Sequence, residues 1–389
     1  MQKLSLPLPA SDALAASQAL QQVIIEEIRA AAGSIPFSRY MELALYAPDL
    51  GYYSGGATKL GKDGDFTTAP EMSPLFAAAL ATLAAPILAQ TQPQVMEFGA
   101  GSGKLARDFL IECHLSGITI ERYFIVELSG ELRARQEDLL KDYPQVQWLQ
   151  QMPPAFSGLV LGNEVLDAMP VDLLLKTTEG WHELGVAESA DATRLIYRAR
   201  GNGLQLAQQI PAADLLPEGY VTEVHTQAIG FMHSVAQMLC AGRAETGLGG
   251  AALWIDYGFP AHEYYHPQRN EGSLMCHYRH HAHPDPFYYP GLQDITAHVD
   301  FSAIARAALE AGLELLSYTS QAALLLESGI ADLLARTDAQ ESLRYLPQAN
   351  ALQKLVSPAE MGELFKALIV GTGIDVPVGL LRHDRCHRL

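Results

Sequence analysis

Cysteine is scarce and scattered in this chain. The four present, Cys113, Cys240, Cys276 and Cys386, form no C-x-x-C pair. That argues against a disulfide scaffold and a cysteine zinc site, and fits a reducing compartment. Basic residues are few: 26 Lys and Arg stand against 44 Asp and Glu, a formal net charge of −18. Phosphate backbones are held by clustered Lys and Arg, so generic nucleic-acid binding is disfavoured. A cationic ligand or a basic protein segment suits such a chain better. No apolar run reaches the ~18 residues of a membrane span. The most apolar window, residues 75–89, is alanine-rich and broken by Thr82 and Pro86. Near the N-terminus only Lys3 precedes Pro7, Pro9 and Asp12, a poor signal peptide without the arginines of a transit peptide. A cytoplasmic location is the resulting expectation. Internal repeats and low-complexity tracts are also missing.

What is present is a long alternation of strand and helix. With 389 residues, 49% of them hydrophobic, the chain can bury a large core and exceeds one ordinary domain. Apolar runs predict strands at 95–98, 123–127, 145–149, 158–162, 251–256, 313–318 and 366–370. Helices are expected at 104–115, 130–141, 222–240, 300–311 and 358–366. This alternation implies an α/β fold with a mostly parallel sheet covered on both faces.

Ahead of it, Ser11 or Asp12 can cap a helix running to about residue 32, stopped by Gly33. Leu20, Ile24 and Ile28 share one face of that helix, with Val23 beside them. Further helices are expected at 37–45 and 73–89. The expected division is a helical extension, 1–90, at the substrate entrance, and a catalytic domain, 91–389. Insertions in the latter are placed at 171–215, as short antiparallel strands, and at 259–295, rich in His, Tyr and Pro.

The centre of the alternation is Val95-Met96-Glu97-Phe98-Gly99-Ala100-Gly101-Ser102-Gly103-Lys104-Leu105. It reads as a buried strand, a glycine turn and a helix start, a cradle for a nucleotide-like ligand. The dinucleotide fingerprint G-x-G-x-x-G would need glycine where Lys104 stands. The glycines run G-x-G-x-G instead, the form of class I S-adenosylmethionine-dependent methyltransferases, often preceded by an acid such as Glu97. Glu127 closes the next apolar run, near the ~20-residue spacing of an acid that bonds ribose hydroxyls. A solvated strand-end glutamate is the plainer alternative.

Other carboxylates fall at strand ends. Asn163, Glu164 and Asp167 follow the fourth strand, and Asp256 and Tyr257 follow the fifth. Ligands bind at this edge of open α/β sheets. Each acid alone reads equally well as a helix cap; together they suggest an acidic cavity. Such a cavity suits a sulfonium, or a guanidinium held bidentately by carboxylates. Before the glycine turn, Gly64-Asp65-Phe66-Thr67-Thr68-Ala69-Pro70-Glu71 brings hydroxyls and carboxylates together. It fits a ligand-facing lid, with Thr67 and Thr68 as donor contacts, or a plain connector. More than half of the 13 histidines crowd between His262 and His298. Cys276-His277-Tyr278-Arg279-His280-His281-Ala282-His283-Pro284 lacks the paired spacing of a structural zinc site, and Arg279 would repel a cation. No metal is expected. His298 reads as facing the site or as packing, ahead of a helix capped by Asp300 or Ser302.

Several separated stretches occur together in order: Tyr40-Met41…Leu45-Tyr46, Gly51-Tyr52-Tyr53, the Gly64–Glu71 stretch, Glu97 to Gly103, Gly162-Asn163-Glu164…Asp167-Ala168…Pro170-Val171, Ile255-Asp256-Tyr257-Gly258, and Asp294-Ile295-Thr296-Ala297-His298-Val299-Asp300-Phe301. Across about residues 35 to 320 the chain resembles the MidA-like methyltransferase family, which includes the mitochondrial complex I assembly-factor arginine methyltransferase. The resemblance implies a class I methyltransferase fold with a seven-stranded sheet and S-adenosylmethionine as donor. It also implies a protein arginine as acceptor, which in the mitochondrial branch belongs to a respiratory-complex subunit. By position, Gly99, Gly101 and Gly103 would line the donor, Glu127 would hold its ribose, and Asn163 with Glu164 would lie beside the methyl group. Glu164 and Asp167 are then the candidates to orient a guanidinium. The alternatives are a small-molecule or RNA methyltransferase on the same fold, a non-catalytic assembly chaperone that keeps the fold and, weakest, a dinucleotide oxidoreductase.

Overall fold

Seven strands build the sheet that carries the glycine turn. They are β1 Gln94–Phe98, β2 Arg122–Val126, β3 Val146–Leu149, β4 Leu159–Asn163, β5 Gly250–Phe259, β6 Glu314–Ser320 and β7 Phe365–Thr372. The computed structural model describes residues 6–55, 68–376, 379 and 382–389. In it the strand order is β6-β7-β5-β4-β1-β2-β3. Strands β1 to β5 pair in parallel, and β7 runs antiparallel to both β5 and β6. The expected seven-stranded, mostly parallel sheet is therefore present, with Val299–Asp300 added as a short eighth strand beside the end of β5.

The chain moves from β1 outward through β2 and β3, then returns to β4 and β5 on the other side. The order reverses between β1 and β4, where Phe98 lies opposite Gly162. A crevice opens at such a switch point, at the carboxyl ends of the strands. Helices α1 Lys104–Leu115 and α2 Gly130–Leu139 make the two crossovers after β1 and β2. Every residue of β1 and of β7 is buried, as expected of strands covered on both faces.

The division expected at residue 90 lies elsewhere. The sheet unit comprises Thr67–Leu166, Ile229–Pro260 and Val299–Leu389. Helix Pro74–Leu88, capped by Ser73 through its bond from the Leu75 N–H at 3.2 Å, belongs to it. Phe76, Leu80 and Ile87 share one core with Val95, Phe109 and Leu161. That helix is apolar on nearly every side, so it serves as core rather than as a separate extension.

The second unit comprises Met1–Phe66, Asp167–Ala228 and Ala261–His298. Both expected insertions thus join the N-terminal helices in a unit of their own. Its five-stranded sheet pairs Ile35–Pro36 with Gly180–Glu188, then Asp172–Thr177 and Val221–Val224, with Leu195–Asn202 on Gly180–Glu188. All these pairings are antiparallel. Leu20, Ile24, Ile28, Phe37 and Tyr40 pack there with Val171, Leu173, Val186 and Ile295. The histidine-rich stretch supplies a small sheet in which Met275–Tyr278 lies between His281–His283 and Asp294–Thr296.

Several local expectations shift. The first helix is Ser11–Ala30, with Ala10 at its N-cap and no side-chain cap bond, so neither Ser11 nor Asp12 caps it. Val23 is exposed. The helix expected at 222–240 runs Thr226–Thr246, because Val221–Val224 is claimed as a strand by Asp172–Leu175. The helix expected at 358–366 shrinks to Met361–Leu364 as β7 takes Phe365 onward. Helices Gln321–Glu327, Ile330–Ala335 and Ser342–Val356 were outside the expected set. Among the described residues no helix is long and apolar enough to cross a membrane.

Candidate active site

β1 runs straight into the glycine turn. Gly99, Gly101 and Gly103 have φ of +64°, +53° and +83°. L side chains cost roughly 1–2 kcal/mol in that region. Two of these glycines also pack tightly. A Cβ on Gly99 would stand 3.0 Å from Val165 Cγ2, and one on Gly103 would stand 3.3 Å from Gln136 Cγ. Gly103 is the N-cap of α1, so the first N–H groups of α1 face the turn.

Lys104 opens α1, where a cation opposes the helix dipole. Glu71 resolves the conflict. Its Oε2 accepts from Lys104 Nζ at 2.5 Å, its Oε1 accepts from the Ser102 hydroxyl, and its side chain is 7% exposed. Lys104 is thus spent on an internal acid, not offered to a phosphate. Glu71 pins the glycine turn from outside; sequence reasoning quoted it in a motif but left it out of the site. The lysine at the helix start was the available signal, since it asks for an acid. Charge-assisted hydrogen bonds contribute ~1.5–3 kcal/mol. Glu71→Ala is therefore expected to weaken S-adenosylhomocysteine binding by about tenfold in calorimetric titration. An unchanged Kd would show that the turn holds its shape alone.

Beside the turn, Glu127 follows β2. Its Oε1 accepts from the Ser129 N–H at 2.8 Å and its Oε2 from Gln136 Nε2 at 2.9 Å. Two donors thus hold the carboxylate in one orientation at the sheet's carboxyl edge. Glu97, expected among the donor contacts, is 1% exposed and accepts from the Tyr123 hydroxyl at 2.6 Å. It presents almost no surface to a ligand. Burial pushes its carboxyl up to about 7; the Tyr123 bond works against that shift and the nearby Glu127 adds to it. The folded chain therefore keeps a proton that the unfolded chain loses above its ordinary value of 4.5. Stability from this group is fully present below that value and falls as pH rises to about 7, by up to ~1.4 kcal/mol per pH unit. Glu97→Gln removes this slope. The Tm of the variant minus that of the parent should rise between pH 4.5 and pH 8; a constant difference would overturn the assignment.

At the end of β4, Asn163 Nδ2 donates to Glu164 Oε1 at 3.0 Å. Glu164 has φ +53°, a left-handed conformation that glutamate rarely adopts. The cause lies in the next residues. The N–H groups of Val165 and Leu166 donate to Asp256 Oδ2 at 3.1 and 2.9 Å, and the Tyr257 N–H donates to Asp256 Oδ1 at 2.9 Å. Asp256 is 1% exposed. Expected on an acidic rim, it is instead a brace that binds backbone and turns the chain sharply after Asn163. Tyr257 packs its ring edge on Phe365, with centroids 5.4 Å apart.

The residues fit an adenosyl donor on two counts. The glycine turn leads straight into the N-terminus of α1, whose first N–H groups can face a ligand, and Asn163 Oδ1 is buried with no hydrogen-bond partner among the described residues. A buried acceptor of this kind awaits an N–H donor.

Asp167 belongs to the second unit, where it is 4% exposed and its carbonyl accepts from the Ala297 N–H at 3.0 Å. Thr67 and the Gly-Asp-Phe before it lie outside the described residues. Thr68 precedes helix Ala69–Met72, forms no side-chain cap bond, and accepts from the Glu71 N–H through its carbonyl. In the second unit, Glu223 accepts from the Ser273 N–H, the Leu274 N–H, and the Ser273 and Tyr264 hydroxyls at 2.7–3.1 Å. The His298 N–H donates to Ser273 Oγ at 3.1 Å, and burial brings His225 down to about 4. Cys276 pairs across strands with His283. Among the described residues no group of three His, Cys, Asp or Glu could hold a metal ion. Asp300 caps helix Phe301–Glu310 by accepting from the Ala303 N–H.

Comparison with known proteins agrees with this geometry. A family model described as "Putative S-adenosyl-L-methionine-dependent methyltransferase" matches residues 77–319. A crystal structure of a Burkholderia thailandensis protein bound to S-adenosyl-homocysteine superposes with a TM-score of 0.93 at 51% identity, covering 99% of this chain and 100% of that one. The mitochondrial protein arginine methyltransferase NDUFAF7 of Mus musculus is 28% identical over 397 residues, 91% of this chain and 83% of the relative. The Drosophila melanogaster homolog is 29% identical over 387 residues, 88% and 82% respectively. The chain belongs to this family of S-adenosyl-L-methionine-dependent methyltransferases.

Proposed function

We propose that this methyltransferase acts on an arginine side chain of a protein, with a respiratory-complex subunit as the first acceptor to test, and that it works in the cytoplasm. The observation that carries the reading is the Asn163–Glu164 pair, a carboxylate held by a neighbouring amide on a left-handed residue at the switch-point edge. S-adenosylmethionine supplies an electrophilic methyl group on a sulfonium. The acceptor nitrogen of a guanidinium, protonated below a pKa of about 12, is a poor nucleophile while its charge is delocalised. Glu164, gripping the other nitrogens, would draw the positive charge towards itself and leave the acceptor nitrogen richer in electrons. It would also fix that nitrogen in line with the methyl–sulfur bond, at the ~3–3.5 Å where alignment accounts for most of the rate. The net charge of −18 favours a basic protein segment as substrate. Relatives named as protein arginine methyltransferases support the same class.

The test is methyl transfer from radiolabelled S-adenosylmethionine into lysate of cells lacking this chain, followed by hydrolysis and amino-acid analysis. Label is expected in methylarginine. Label confined to another side chain, to RNA or to small molecules would replace this reading. Stable capture of a partner with no label transferred would favour the chaperone.

A further inference from the structure

Gln136 is completely buried near the end of α2, at 0% exposure. Its side chain joins three segments. Nε2 donates to the Gly101 carbonyl and to Glu127 Oε2, both at 2.9 Å. Oε1 accepts from the Trp148 indole N–H of β3 at 3.0 Å. The amide can face only one way. An indole N–H only donates, whereas a carbonyl and a carboxylate only accept. Trp148 therefore obliges the NH2 group to face the glycine turn and Glu127 together. Close packing supports the arrangement, since Gln136 Cγ lies 3.3 Å from where a Cβ on Gly103 would be.

The geometry points to Gln136 as the positioning residue that aims Glu127 at the ribose of the adenosyl donor, and so sets the enzyme's preference for an intact ribose. The inference rests on reading Glu127 as the ribose carboxylate. Without the Gln136 amide, Glu127 Oε2 loses the donor that ties it to α2 and β3. The Gly101 carbonyl and the Trp148 indole lose their partner at the same time. Neighbouring hydrogen-bond partners that orient a binding group commonly alter affinity 10–100-fold when removed, as is established for metal ligands.

The experiment is calorimetric titration with S-adenosylhomocysteine and its 2′-deoxy and 3′-deoxy analogues. The proteins are the parent, Gln136→Leu, Glu127→Gln, the double variant and Trp148→Phe. The parent is expected to favour the intact ribose by about tenfold or more. In Gln136→Leu that ratio should fall below about threefold. In the Glu127→Gln background, adding Gln136→Leu should change affinity by less than about twofold. Trp148→Phe, which leaves the amide in place and removes only its orienting donor, should lower the ratio by about threefold and keep the fold. A purely structural role would weaken all ligands equally. Preserved ribose preference in Gln136→Leu and Trp148→Phe, or losses that multiply in the double variant, would overturn the assignment of Gln136. A parent that ignores the ribose hydroxyls would overturn the Glu127 reading itself, and the inference with it.

Discussion

Glu164→Gln is expected to lower kcat for protein methylation by about 10²–10³-fold while leaving the Kd for S-adenosylhomocysteine within about threefold. The range is that for loss of one preorganised electrostatic contact to the transition state. The substitution keeps size and can keep the bond from Asn163 Nδ2, which is 3.0 Å in the parent. What it removes is the negative charge that would draw a guanidinium's charge away from the acceptor nitrogen. Single-turnover methylation of an identified substrate, beside titration with the demethylated donor, separates the two quantities. A second variant adds an independent readout. Glu164 has φ +53°, a conformation that costs roughly 1–2 kcal/mol in an L residue and little in glycine. Glu164→Gly should therefore raise the Tm while abolishing transfer. Strain retained at the expense of stability is what a working position shows. A parent-like rate in Glu164→Gln would remove Glu164 from the chemistry. A lower Tm in Glu164→Gly would show that its backbone is unstrained.

The sheet was legible because its strands are short apolar runs bounded by turn residues. All seven expected strands lie within a few residues of β1 to β7. The glycine turn was legible because its spacing is local. What failed to show has a common physical origin. Asp256 and Glu164 are both strand-end acids, and nothing along the chain says that one binds three backbone N–H groups and the other accepts from the Asn163 amide. Glu71 and Gln136 meet the glycine turn from residues far along the chain, through contacts that only tertiary packing creates. The second unit was hidden for the same reason. Its sheet joins Ile35 to Val186 and Leu173 to Glu223, pairings between segments that each look like a decoration of the catalytic domain. Val221–Val224 shows the ambiguity at its smallest scale: Val-Thr-Glu-Val, directly before a helix, reads as its first turn until a partner strand claims it.

Gly101→Val is expected to weaken S-adenosylhomocysteine binding by more than about 100-fold while the chain still folds. Gly101 has φ +53°, and a β-branched residue at positive φ is a genuine outlier. Valine would force the turn to rearrange, and the Gly101 carbonyl would leave Gln136 Nε2, now 2.9 Å away. The N–H groups that face the ligand would move with it. The core beneath the turn, including Val95, Phe109 and Leu161, keeps its contacts, so loss of fold is not the expected outcome. Far-UV circular dichroism and the apo Tm establish that first, with a fall of a few degrees expected, since ~1 kcal/mol shifts a domain of 150–250 residues by about 2–4 °C. Gly101→Ala, which pays the backbone cost without β-branching, should fall between parent and valine, at about tenfold. A folded Gly101→Val that binds within threefold of the parent would show that the turn is only a chain reversal. The donor would then have to be held by the β2 and β4 ends alone, and the affinity of Glu127→Gln would become the quantity that decides where it sits.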